Sequence, residues 1–184
     1  KDATEYKVGA VIMDYDTGEF LSEVAFSEPF TTLEKKYADI TFNFEYGPYY
    51  DLGELVKAGQ EQYAPLISDG NALMPIKLTV DGKCSAFYFD IYQNDLMDEE
   101  TYPDELFYAG LEYGCTYNSS IFVVKYDTPM TLVAMAYDYD GNVTKLYRDV
   151  LFFTQDGASP VKEFIDSQNK PGKSVEVKSA PASA

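Results

Sequence analysis

The stretch TPMTLVAMAYDYDGNVTKLYRDVLFFT, Thr128–Thr154, decides how the chain is read. From Thr131 to Tyr139 the side chains alternate: Val133, Met135, Tyr137 and Tyr139 share one face of an extended strand, and Leu132, Ala134 and Ala136 share the other. Asp140-Gly141 marks a tight turn, because Asp tolerates and Gly readily adopts positive φ. Leu146 to Thr154 is the return strand. The segment reads as a β-hairpin.

Working outward, the opening of the chain repeats this pattern. Residues 4–31 run through Asp14-Tyr15-Asp16-Thr17-Gly18 to Phe30-Thr31, as residues 128–154 run through Asp138-Tyr139-Asp140-Gly141 to Phe153-Thr154. One deletion, at Thr17, brings the glycines and the exit Phe-Thr pairs into line. Tyr6 to Tyr15 leads in and Glu23 to Thr32 returns. Such a repeat bears on the fold before any motif does.

Between the copies, Tyr37 to Tyr46 alternates Ile40, Phe42 and Phe44 against polar neighbours, as a half-buried strand does. Pro75 to Val80, Ser85 to Tyr92 and Ser120 to Tyr126 read as further strands. Asp51 to Gln62 reads as a short helix weakened by Gly53 and Gly59. Pro103 to Tyr113 reads as a second, with Pro near its first turn and acids after it. From Gly157 onward the periodicity fades, and Ser167 to Ala184 is rich in Lys, Ser, Pro and Ala. The expected organisation is a truncated closing hairpin at 1–34, a complete sandwich at 35–157, and a tail or linker at 158–184. Two strands alone are marginal in water, so the first hairpin is expected either to lack its own domain or to lie against the complete one.

Composition bounds the function. The 184 residues are 46% apolar, enough for a core, and the aromatics are 17 Tyr and 12 Phe with no Trp, residues that favour strands. A formal charge of −17 argues against nucleic acid and anionic lipid as partners. No apolar run approaches the roughly 18–20 residues that span a bilayer. With no histidine, Ser-His-Asp and Cys-His chemistry are excluded, as is the commonest transition-metal ligand. A carboxylate pair could still hydrolyse glycosides, although Asp and Glu are too abundant for any pair to stand out. No cofactor motif is present, neither a P-loop nor a dinucleotide fingerprint. The chain begins at Lys1-Asp2-Ala3-Thr4 without a leader pattern and reads as a mature or trimmed fragment.

With these residues in view, the chain resembles fibronectin type III domains. The Asp-x-Asp-(x)-Gly turn and Phe-Thr exit of both copies resemble their closing hairpin, and Thr4-Glu5-Tyr6 resembles its entrance. Ala86 to Tyr92, Tyr102 to Leu106 and Ala134 to Asn142 are similar to divergent fibronectin-III-like modules of surface lipoproteins of gut Bacteroidetes. The tyrosine that marks the corner of such domains is present as Tyr6, but Met130 stands in its place in the second copy. The resemblance implies an all-β, fibronectin-III/immunoglobulin-like β-sandwich with short helical insertions. It implies a non-catalytic interaction or spacer module, at the cell surface or in the periplasm, lipid-anchored in the full-length protein. It names no catalytic residue.

Candidate sites are few. Tyr46, Tyr49 and Tyr50 beside Asp51 could form a stacking platform for a glycan, the alternative function, or could lock a strand end onto the helix that follows. The partner is then a protein or a glycan. The Asp14–Glu19 and Asp138–Asn142 stretches have some of the oxygens a calcium ion wants, but also the residues of a plain turn. The run Asp95 to Glu100 could meet a basic partner or be a solvated loop ahead of a helix. Cys84 and Cys115 are compatible with one disulfide or with two buried thiols.

Overall fold

The computed structural model describes residues 4–68 and 70–168 and the backbone of 177–178. The chain divides into two compact units, residues 1–36 and 37–184.

The first unit is a hairpin. β1 (Glu5–Tyr6) pairs antiparallel with β4 (Phe30–Thr31), and β2 (Gly9–Ala10) pairs with β3 (Ala25–Phe26). Its turn is held by one carboxylate: Asp14 Oδ1 accepts from the amides of Asp16 (3.0 Å) and Thr17 (2.8 Å), and Gly18 takes a φ of +72°. The later hairpin solves its turn in the same way. Asp138 Oδ1 accepts from the amides of Asp140 (2.9 Å) and Asn142 (2.8 Å), with Gly141 at +82°. Met13 bridges Phe20 as Tyr137 bridges Val143, at positions the sequence alignment superposes. Further from the turn the two registers part by one residue. Ala10 faces Ala25, whereas its counterpart Ala134 faces Tyr147, the counterpart of Val24.

The second unit holds two antiparallel sheets over a common core. β5 (Ile40–Tyr46), β7 (Asn71–Gly82) and β9 (Ser119–Lys125) form one, in the order β9–β7–β5, and the short β6 (Tyr50–Asp51) extends the pairing along β7. β8 (Cys84–Gln93), β10 (Met130–Asp138) and β11 (Tyr147–Leu151) form the other, in the order β11–β10–β8. Alternate side chains of both sheets meet in one cluster: Met74, Ile76 and Phe122 from the first, Phe89, Ile91 and Leu132 from the second. Each fully buried side chain of this size contributes about 1.5–3 kcal/mol by leaving water.

Pro75 lies inside β7, a central strand, where its missing N–H should break a ladder. It sits where β7 changes neighbour, between the Tyr46–Ile76 and Tyr50–Leu73 pairs. The Pro75 carbonyl takes the Gly47 amide at 2.8 Å, so the side of Pro75 without a donor faces the kink at Gly47–Tyr49. Glycine suits position 47, since a Cβ there would lie 3.1 Å from the Pro75 oxygen and crowd this turn. β7 therefore begins at Asn71, four residues before the start that the proline signals in the sequence.

The outer faces are covered by the insertions. α2 (Glu105–Leu111) and the loop before it lie over β8 and β10, burying Leu96 and Leu111 with Val133 and Met135. β10 is consequently buried on both faces. Over β7 and β9 lie α1 (Leu52–Lys57), a 3-10 turn at Glu61–Leu66, and α3 (Val161–Gln168). Their Leu52, Leu55, Tyr63 and Phe164 pack with Leu73 and Ile121. α3 corrects the expectation of a tail from residue 158. Phe164 is 1% exposed and lies edge-on to Tyr50 and Tyr63, so 158–168 belong to the folded unit. β12 (Val177–Lys178) pairs parallel with β9. The rest of the expected tail, 169–176 and 179–184, lies outside the described residues.

Candidate functional site

Tyr46, Tyr49, Tyr50 and Asp51 are adjacent in sequence and separate in role. Tyr46 stands at the end of β5, its ring parallel to Phe44, and its hydroxyl donates to the Asp149 carboxylate of β11. Burial and that carboxylate both push its phenol far above its ordinary value. Tyr49 packs edge-on to Phe153 at 5.0 Å and its hydroxyl donates to the Thr154 carbonyl at 3.0 Å. Tyr50 is 4% exposed and faces Phe164. Asp51 caps α1, accepting from the Glu54 amide at 2.9 Å, and also receives the Tyr126 hydroxyl at 3.2 Å. These rings close the strand end onto the helix and the β11 exit, the second of the two roles the sequence leaves open for them, and Tyr50 is buried away from any ligand.

The two cysteines are free thiols. Cys115 is buried with its sulfur 2.9 Å from the Ser120 hydroxyl, and Cys84 donates to the Ala86 carbonyl at 3.3 Å. Cys84 borders an open concavity of about 340 Å³ at the start of β8, lined also by Val80, Ser85, Phe87 and Thr116. Burial pushes the Cys84 thiol up, away from the thiolate a nucleophile requires. Ser85 donates to the Tyr137 and Asp138 carbonyls, an arrangement that ties β8 to the end of β10.

The loop that carries the acidic run is tied to the sheet from within the chain, through its main chain and Asp104. Arg148, the single arginine of the sequence, reaches from β11 across the sheet. Its guanidinium, 4% exposed, donates to the Leu96 and Tyr102 carbonyls and pairs with Asp104 at 2.6 Å. It also lies 5.3 Å from the centre of the Phe107 ring. Asp104 accepts in addition from the Leu146 amide at 3.1 Å and the Tyr108 hydroxyl at 3.4 Å. Asp98 turns inward on its own loop, accepting from Thr101 Oγ1 at 2.6 Å, a bond that lowers its carboxyl below the ordinary range. The loop is thus a strap fastened to β11. Sequence reasoning did not single out Arg148, though a lone arginine among thirteen lysines was the available signal.

No family model, curated protein or solved structure matches this chain. Among the described residues no helix is long and apolar enough to cross a membrane. Among the same residues, no three acidic or cysteine side chains gather closely enough to hold a metal ion. The carboxylates of Asp14 and Asp138 are instead engaged by the amides of their own turns.

Proposed function

We propose that residues 37–168 are a fibronectin-III-like module that serves, without catalysis, as an interaction or spacer unit of a secreted bacterial surface lipoprotein. The observation that carries this reading is the strand order. The sheets β12–β9–β7–β5 and β11–β10–β8 contain strands in the E-B-A and C-F-G order expected of immunoglobulin-like sandwiches, which supports the reading. The fold alone hosts many functions, so the reading leans further on how the polar side chains are used. Asp104, Asp149 and Arg148 hold elements together, and Cys84 is kept as a thiol. In a module of this kind the sandwich sets the separation of whatever flanks it, and contact falls to surface loops.

The test is surface display. Protease treatment of intact cells of a bacterium encoding the chain should remove it, while a cytosolic marker survives. Retention inside the cell, or turnover of any glycan by the purified chain, would overturn the proposal. The glycan-binding alternative, assigned to Tyr46, Tyr49, Tyr50 and Asp51, would be favoured instead by binding on a glycan array.

A further inference from the structure

The first hairpin carries its apolar side chains in the open. Val8 (59% exposed), Ile12 (64%), Phe20 (73%) and Phe26 (68%) are examples, in a ribbon whose strands, among the described residues, are paired as strands only with each other. Phe26 and Val24 fold over Gly9, where a Cβ would lie 3.1 and 3.3 Å from them, so an apolar patch runs across both strands. A lone two-stranded ribbon is marginal in water. The second hairpin, with the same turn chemistry, shows how such a ribbon is completed. The outer edge of its first strand, β10, takes β8 as a third antiparallel strand. Charge narrows the occupant further. Between Thr4 and Glu34 seven carboxylates stand against one lysine, Lys7, a formal charge of −6. A second copy of this chain, at −17, would be repelled.

We propose that the edge formed by residues 5–13 is a strand-addition site for a cationic partner polypeptide. The partner presents an extended segment with alternating apolar side chains and flanking lysine or arginine. Main-chain hydrogen bonds supply the pairing, the patch around Phe26 takes the apolar side chains, and the carboxylates take the charges. This site is independent of the function proposed for the sandwich.

The probe is a synthetic peptide carrying the Ser85–Tyr92 sequence with Asp90→Lys and a lysine at each end, titrated into the whole isotope-labelled chain. Amide shifts should concentrate at residues 5–13. Affinity should fall several-fold as salt screens the pair, and Val8→Lys or Phe26→Lys should weaken it by about tenfold. Both substitutions are exposed and should leave the melting of the sandwich unchanged. Absence of shifts in the hairpin, equal binding of a peptide with glutamates in place of the lysines, or a dimer in sedimentation that Phe26→Lys dissolves would each overturn the proposal. So would amide protection of residues 5–13 in the chain alone equal to that of β10, since the edge would then already be covered.

Discussion

Tyr49 and Gly157 form a clasp in which one atom decides the outcome. The 3-10 turn at Gln155–Gly157 passes so close to the Tyr49 hydroxyl that a Cβ on Gly157 would lie 2.1 Å from it. Gly157→Ala is therefore expected to expel the hydroxyl from the Thr154 carbonyl, lowering stability in urea by about 1–3 kcal/mol, the cost of an overpacked contact. Tyr49→Phe in the same background should restore part of the loss by shortening the ring. If Gly157→Ala leaves the urea midpoint unchanged, the clasp is not as described. The ion pair of Arg148 makes a second residue-level prediction. Asp104→Ala leaves a buried guanidinium with carbonyl partners and no counter-charge, and should cost about 3–5 kcal/mol. The exposed Lys77–Glu45 pair, broken by Glu45→Ala, should cost no more than about 1 kcal/mol. Equal costs in urea titrations would sink the contrast.

At the scale of elements, what could be read in advance was what periodicity records. β5 and β10 announce themselves by alternation, β8 and β9 by short apolar and aromatic runs, and α2 by its Pro-acid start, and all lie close to where these signals place them. Periodicity is silent on which faces are covered. β10 reads as a strand with two apolar faces, and only the packing of α2 explains why both are needed. The tyrosines after β5 illustrate the same limit, because an aromatic that stacks on a ligand and one that locks a helix look alike in sequence. α3 was missed for a different reason. Its apolar residues are only Val161, Phe164 and Ile165, spaced i, i+3, i+4 after Ser159-Pro160, a helix-start signal submerged in a Lys- and Ser-rich context. Its contribution can be measured: Phe164→Ala should destabilise the second unit by about 3–5 kcal/mol, as for other buried aromatics. A change below about 1 kcal/mol in a thermal melt would return this segment to the status of a tail.

For the whole molecule, the abundance of tyrosine sets the alkaline limit of stability. Burial raises the phenols of Tyr46, Tyr50, Tyr63, Tyr92, Tyr108 and Tyr126 above their ordinary value of 10.0, Tyr92 to about 12, and nearby carboxylates reinforce most of them. A neutral form favoured by folding means that above pH 10 the unfolded chain holds fewer protons than the folded one. Stability is therefore fully present below pH 10 and falls as pH climbs toward 12. Absorbance near 295 nm should show these phenols ionising late and together with the loss of far-ultraviolet strand signal. Ionisation of all of them near pH 10 with the fold intact would refute this.

The contacts of β5 with β11 carry a mechanical meaning. Phe42 and Phe44 lie against Tyr147, and Tyr46, further along β5, reaches Asp149, further along β11, so the first and last strands of the sandwich point the same way. The start of β5 and the end of β11 thus lie at opposite ends of the sandwich. Tension applied between those two points loads the β5–β7 ladder in shear, with its hydrogen bonds stretched together and not peeled singly.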